Sequence, residues 1–226
     1  GLCLVGSEMC IRDSPTTALP TELQAVNIML ASVGIAPVTS LDQDSNDIPT
    51  NPEVALALDT LEQCVREVQA EGWVFNTEEN YPIQPDNSKN INFEPTMLQL
   101  KLCPTRLYSK DKDAVKRDGK LYDKVAHTFE WEPDADGKVY CDVLWLFKWP
   151  DIPGPILYYI INKASAYFSQ RAVGDPQQFT QLMQKAMESQ QAAQEYECSQ
   201  GEYSFFGHPQ GQNYYNSYQP FHTLYR

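Results

Sequence analysis

The stretch Ile152–Pro176, reading I-P-G-P-I-L-Y-Y-I-I-N-K-A-S-A-Y-F-S-Q-R-A-V-G-D-P, decides how the rest of the chain must be arranged. Pro155 stands where a first-turn proline belongs, because its missing N–H would have no partner inside a helix there. Ile156, Ile160, Ala164 and Phe168 then recur every four residues, and Leu157, Tyr159 and Ile161 widen that apolar face. A helix so apolar has to be covered on more than one side. Gly174 supplies the stop, and Asp175 followed by Pro176 restarts the chain as N-cap and first residue of another helix.

Working outward toward the N-terminus, Thr21 and Gln24 form a capping-box pattern, with Leu23, Val26, Asn27 and Leu30 on one helical face. Gly34 and Pro37 end that helix. Asn51 and Pro52 open a second, in which Val54, Leu58, Leu61, Val65 and Val68 repeat at intervals of four and three, a seam suited to a bundle partner. Gly72 closes it. Toward the C-terminus, the helix after Asp175 is expected to run to about Ser199, with Phe179, Leu182, Met183, Ala186, Met187 and Ala193 facing inward.

From Trp73 to Pro150 the period shortens and turn residues multiply, so this part reads as β structure. Trp73–Phe75 and Tyr81–Ile83 are expected to be short extended pieces, and Met97–Leu102 a strand. Asp118-Gly119 signals one hairpin. Asp136-Gly137, between Phe129–Trp131 and Val139–Leu146, signals a second. The expected fold class is therefore α+β: a four-helix bundle-like domain with an inserted antiparallel β lobe and an extended aromatic C-terminal arm. In residue numbers, 15–72 carry helices 1 and 2, 73–150 the β-rich insertion, 151–200 helices 3 and 4, and 201–226 the arm.

Residues 1–14 are set apart. Their apolar run is interrupted too quickly by Glu8, Arg12 and Asp13 for a signal peptide. The string resembles a translated sequencing-library adapter, and it is expected to be a non-native, disordered leader. Excluding it leaves Cys64, Cys103, Cys141 and Cys198, none at C-x-x-C spacing, which reads as reduced thiols in a protein assembled inside a cell.

The 226 residues are 42% hydrophobic and 12% aromatic, enough for a core without disulfides or metals. With 17 Lys+Arg against 30 Asp+Glu the formal net charge is -13. Read as a whole, this balance disfavours nucleic acid and anionic membranes, since phosphate binding needs clustered cations and no such cluster is read here. No run approaches the length of a membrane span.

Sites for chemistry are weak. Asp42, Asp44, Asn46 and Glu53 fall at positions 1, 3, 5 and 12 of a calcium loop, but Asp47 replaces the glycine of the sharp turn, so they read as a decoy and no metal or cofactor is expected. His127, His208 and His222 lie in no nucleophile motif, and Glu78 beside Glu79 would point to opposite faces of a strand. An enzyme has no positive support. The tail carries Tyr203, Phe205, Phe206, Tyr214, Tyr215, Tyr218, Phe221 and Tyr225 among Gly, Asn, Gln and Pro. Such an arm either docks on a neighbour, giving intersubunit contacts, or folds back on its own domain. Tyrosine suits both, because it buries a large area and keeps a polar tip.

Four blocks taken in order resemble the tail tubular protein A family of short-tailed bacteriophages: T-E-L-Q-A-V-N-I-M-L-A-S-V-G-I-A-P-V (Thr21–Val38), G-W-V-F-N-T-E-E (Gly72–Glu79), L-Y-D (Leu121–Asp123) and K-A-S-A-Y-F-S-Q-R-A-V-G-D-P (Lys163–Pro176). The stretch Asn80–Thr105 and the aromatic tail depart from the family pattern. The resemblance implies a structural virion protein, assembled in the host bacterial cytoplasm as a homo-oligomer, a dodecamer, in the phage tail. It implies portal protein and tail nozzle protein as partners, with DNA passing through the lumen without specific binding, and no membrane. An acidic channel wall would not hold the genome back. A monomeric aromatic-armed binding module and a virion-associated cell-wall hydrolase are the alternatives.

Overall fold

The computed structural model describes residues 19–41, 51–103 and 112–201. The elements, in chain order, are α1 (Glu22–Ser32), α2 (Pro52–Ala70), a 3-10 turn (Val74–Asn76), β1 (Thr77–Ile83), β2 (Met97–Leu102), β3 (Ala114–Arg117), β4 (Lys120–Asp123), β5 (Val139–Trp145), a second 3-10 turn (Trp149–Asp151), α3 (Gly154–Ala172) and α4 (Pro176–Gly201). The protein is α+β, with antiparallel sheets. It divides into two compact units, one of Gly1–Val65 with Lys148–Ser189 and one of Arg66–Phe147 with Gln190–Arg226, the divisions falling within α2 and α4.

The first unit is built on α3, in which ten side chains are buried, from Ile156 to Ser169. Fully burying each of Ile156, Leu157, Ile160, Ile161 and Phe168 stabilises by about 1.5–3 kcal/mol, so this helix holds the apolar core that its sequence requires. α1 packs on α3 through Ala25, Val26, Met29 and Leu30. Its capping box forms as expected: Gln24 N–H donates to Thr21 Oγ1 at 3.2 Å, and Thr21 N–H to Gln24 Oε1 at 3.0 Å. Asn27, expected on the packing face, does something else. Its amide donates to Val38 O (3.0 Å) and accepts from Val38 N–H (2.8 Å), clamping the segment that leaves the helix.

Along α2 the buried stripe is Val54, Ala57, Thr60, Leu61, Cys64 and Val68, with Leu58 and Val65 only half-buried. Val54, Leu61 and Val68 of the seam read from the sequence are buried, while Ala57 and Cys64 take the inward positions expected of Leu58 and Val65. Arg171, in the last turn of α3, donates to Thr60 Oγ1 (2.9 Å) and Gln63 Oε1 (2.5 Å) and lies 3.5 Å from Asp59. At the corner, Gly174 takes φ +77°, and Asp175 Oδ1 accepts from Gln177 N–H at 3.0 Å as the cap of α4. Phe179, Leu182 and Met183 are half-buried and Ala186 buried. Met187 is 57% exposed, contrary to its expected inward position, because i, i+4 spacing fixes a face and not whether anything covers it.

In the second unit β5 is the central strand of a three-stranded sheet ordered β1-β5-β2, and β3-β4 form a separate hairpin. Pro82 is accommodated because β1 is an edge strand, where a missing N–H breaks no ladder. Val139, Cys141 and Val143 of β5 point into a core completed by Ile91, Met97, Leu100, Leu121 and Trp131.

Two expectations fail here. Trp73–Phe75 is not extended, because Asn76 folds it into a turn: Asn76 Oδ1 accepts from Trp73 N–H (2.9 Å), and Nδ2 donates to Gln69 O (2.9 Å) and Trp145 O (3.0 Å). Gln69 is buried beside it and exchanges two hydrogen bonds with the Phe147 backbone, at 3.0 and 2.7 Å. The second hairpin signal also yields only its turn. Gly137 N–H donates to Asp134 O at 2.9 Å, but Phe129–Trp131 is not a strand, and β5 pairs with β1 and β2 instead. Trp131 is spent as a buried anchor, its Nε1 donating to Leu121 O at 2.9 Å.

Candidate assembly surfaces

The residues singled out for chemistry are described only in part. Asp42, Asp44 and Asn46 lie outside the described residues, and Glu53 is exposed in the first turn of α2. Among the described residues no group of three or more His, Cys, Asp or Glu could hold a metal ion. His127 stands at φ +56° with Nδ1 3.5 Å from the Tyr122 hydroxyl, a turn residue and not part of a nucleophile pair. The arm aromatics Tyr203, Phe205, Phe206, Tyr214, Tyr215, Tyr218, Phe221 and Tyr225 also lie outside the described residues, as do residues 1–14.

Three of the four described cysteines behave as core. Cys64, Cys103 and Cys141 are buried and Cys198 is exposed. Cys103 Sγ donates to Asn80 Oδ1 at 2.8 Å. Burial pushes the Cys141 thiol up to about 12, with Asp142 and Cys103 adding to the effect, so it stays protonated at neutral pH.

Two surfaces of the units could meet partners. In the first unit a groove of about 540 Å³ is lined by Leu19, Pro20, Leu23, Leu41, Trp149 and Pro150, with Thr21 and Glu22 at its edge. Trp149 Nε1 donates to Pro20 O at 2.6 Å, which fixes one wall, and Leu19 is 45% exposed.

The other surface is the β3-β4 hairpin, and it corrects the reading that the chain carries no clustered cations. In the sequence, Lys101, Arg106, Lys110, Lys112, Lys116, Arg117, Lys120 and Lys124 are eight of the chain's 17 cationic residues, within 24 positions that hold only four carboxylates, Asp111, Asp113, Asp118 and Asp123; of these, Arg106, Lys110 and Asp111 lie outside the described residues. This stretch is net +4 in a chain of net charge -13. The signal was in the sequence, hidden because the charge was taken over the whole chain.

The hairpin turn is set by Asp118 at φ +51° and Gly119 at φ +70°, a turn with positive φ at both central positions that matches the twist of the two strands. Three of its cations lie over aromatic faces: Lys112 over Trp131 (5.4 Å), Lys116 over Phe93 (4.8 Å) and Arg117 over Tyr122 (4.1 Å). Contacts of this kind hold a cation on the surface while leaving its charge outward. Lys124 pairs with Asp113. Asp123 is buried and accepts from Val125 and Ala126 N–H at 2.8 and 3.3 Å, closing the turn after β4.

The geometry therefore offers surfaces for association and no catalytic constellation among the described residues. No curated protein matches the chain. Residues 23–203, most of the chain and including every element from α2 to α4, match the family described as tail tubular protein. The chain thus belongs to the tail tubular protein family, structural components of the bacteriophage tail.

Proposed function

We propose that this protein is the subunit of a twelve-membered tail ring that connects the portal to the tail nozzle of a short-tailed phage and forms part of the channel through which the genome leaves. The observation that carries the reading is the family match over residues 23–203, which joins the helical and β parts of the chain in one family unit. In this account α1 to α4 form a four-helix bundle carrying the β lobe, and the aromatic arm of residues 201–226 supplies intersubunit contacts. The ring assembles in the host cytoplasm, acts by geometry and not by catalysis, and needs no cofactor. Its acidic balance keeps DNA moving through the lumen without a specific site.

A ring of identical subunits joined head to tail needs two different, complementary patches on each chain. The test is ternary assembly: the purified chain is mixed with portal protein, with nozzle protein, and with both. One complex containing all three supports the connector role. Failure to bridge portal and nozzle, with each partner folded, removes it.

A further inference from the structure

We propose that the β3-β4 hairpin is the basic half of the contact between neighbouring copies of this chain, and that it docks on a carboxylate-rich surface of the next copy. The inference rests on the ring reading and deepens it by naming one of the two patches. The described hairpin with its flanks, residues 112–124, holds five cations against three carboxylates; the rest of the chain holds 12 cations against 27 carboxylates. Taken as a whole, the rest of a second copy is therefore opposite in sign to the hairpin, whereas two hairpins would repel each other. That asymmetry favours a head-to-tail contact over a two-fold one.

The chemistry of the hairpin suits a protein partner better than a phosphate backbone. Lys112, Lys116 and Arg117 are held over Trp131, Phe93 and Tyr122, of which Trp131 and Tyr122 are buried, so the hairpin presents cations fixed from beneath, a footing suited to charge pairs with a protein partner. Carboxylates are interleaved with them. Asp118 is exposed at the tip, Asp113 pairs with Lys124, and a groove of about 410 Å³ beside the hairpin is lined by Asp118 and Glu130 as well as Lys120. A nucleic-acid strand laid there would meet those acids, while a protein surface of mixed charge can match them.

The test uses the full chain assembled with portal. Rings are made from equal amounts of ordinary and 15N-labelled chain and treated with a carbodiimide, which joins lysine amines to carboxylates in contact. Mixed-isotope products linking Lys112, Lys116 or Lys120 to a carboxylate outside residues 101–124 are expected. In parallel, Lys116→Glu with Arg117→Glu should raise the concentration for half-assembly at least about tenfold at low salt, with circular dichroism and urea midpoint unchanged. Unchanged assembly, or links confined to single copies, overturns the inference and leaves the ring standing. So does a variant that assembles normally but loses retention of a 30-base-pair duplex, which would make the hairpin a nucleic-acid surface. A wild-type chain that stays monomeric with portal present overturns the ring reading and this contact with it, and the wild-type sample alone identifies that case.

Discussion

Asn76→Ala should be among the most damaging single substitutions in the second unit. Asn76 is fully buried, and its amide closes the turn between α2 and β1 with three hydrogen bonds to backbone groups of Trp73, Gln69 and Trp145. Gln69 O keeps a second donor, Gly72 N–H at 3.3 Å, so alanine strands chiefly the Trp73 N–H and the Trp145 carbonyl. Each buried group left without a partner costs about 1–3 kcal/mol, for a total of about 2–6 kcal/mol, a large share of the 5–15 kcal/mol by which domains are stable. Urea unfolding followed by tryptophan fluorescence would read this as a midpoint lowered by about 1–3 M for a slope near 2 kcal/mol/M. Asn76→Asp, which keeps the acceptor for Trp73 and sets a carboxylate against two carbonyls, should cost at least as much. A loss below about 1 kcal/mol in both variants would refute the claim that this amide organises the turn.

Phe168→Ala, which empties a fully buried position of α3, should cost about 3–5 kcal/mol by the same assay. Gly119→Ala, at φ +70° with open space around its Cα, should cost about 1–2 kcal/mol through backbone strain alone, seen as a lower thermal midpoint without change in secondary structure. Native alkylation with peptide mapping should label Cys198 and spare Cys64, Cys103 and Cys141. The Cys141 thiol is raised from 9.0 to about 12, so above pH 9 the unfolded chain gives up a proton that the folded chain keeps. Its contribution to stability therefore falls as pH rises from 9 to 12, by about 1.4 kcal/mol per pH unit, and Cys141→Ala should flatten that part of the pH profile.

What was legible in the sequence was whatever a few neighbouring residues decide. The capping box of Thr21 with Gln24, the stop at Gly174, the cap at Asp175 and the Asp118-Gly119 turn depend on φ values and hydrogen bonds spanning four residues or fewer, and each is where the sequence put it. Trp73–Phe75 was misread because the group that bends it, Asn76, bonds to Trp145 across 69 positions. Phe129–Trp131 was misread for a related reason. An aromatic triplet beside Asp-Gly resembles a strand, but Trp131 is drawn under β4 by Leu121 and the cation Lys112. The basic hairpin needed no structure to be noticed, only a count of charge along the chain, and its cation–aromatic pairs then needed the fold.

The most direct test of the ring is the mass of the chain lacking residues 1–14, by native mass spectrometry with and without portal protein. The ring account expects a species of twelve subunits in at least one of the two conditions. A strict monomer in both would contradict it and return the chain to the status of a single-copy binding module.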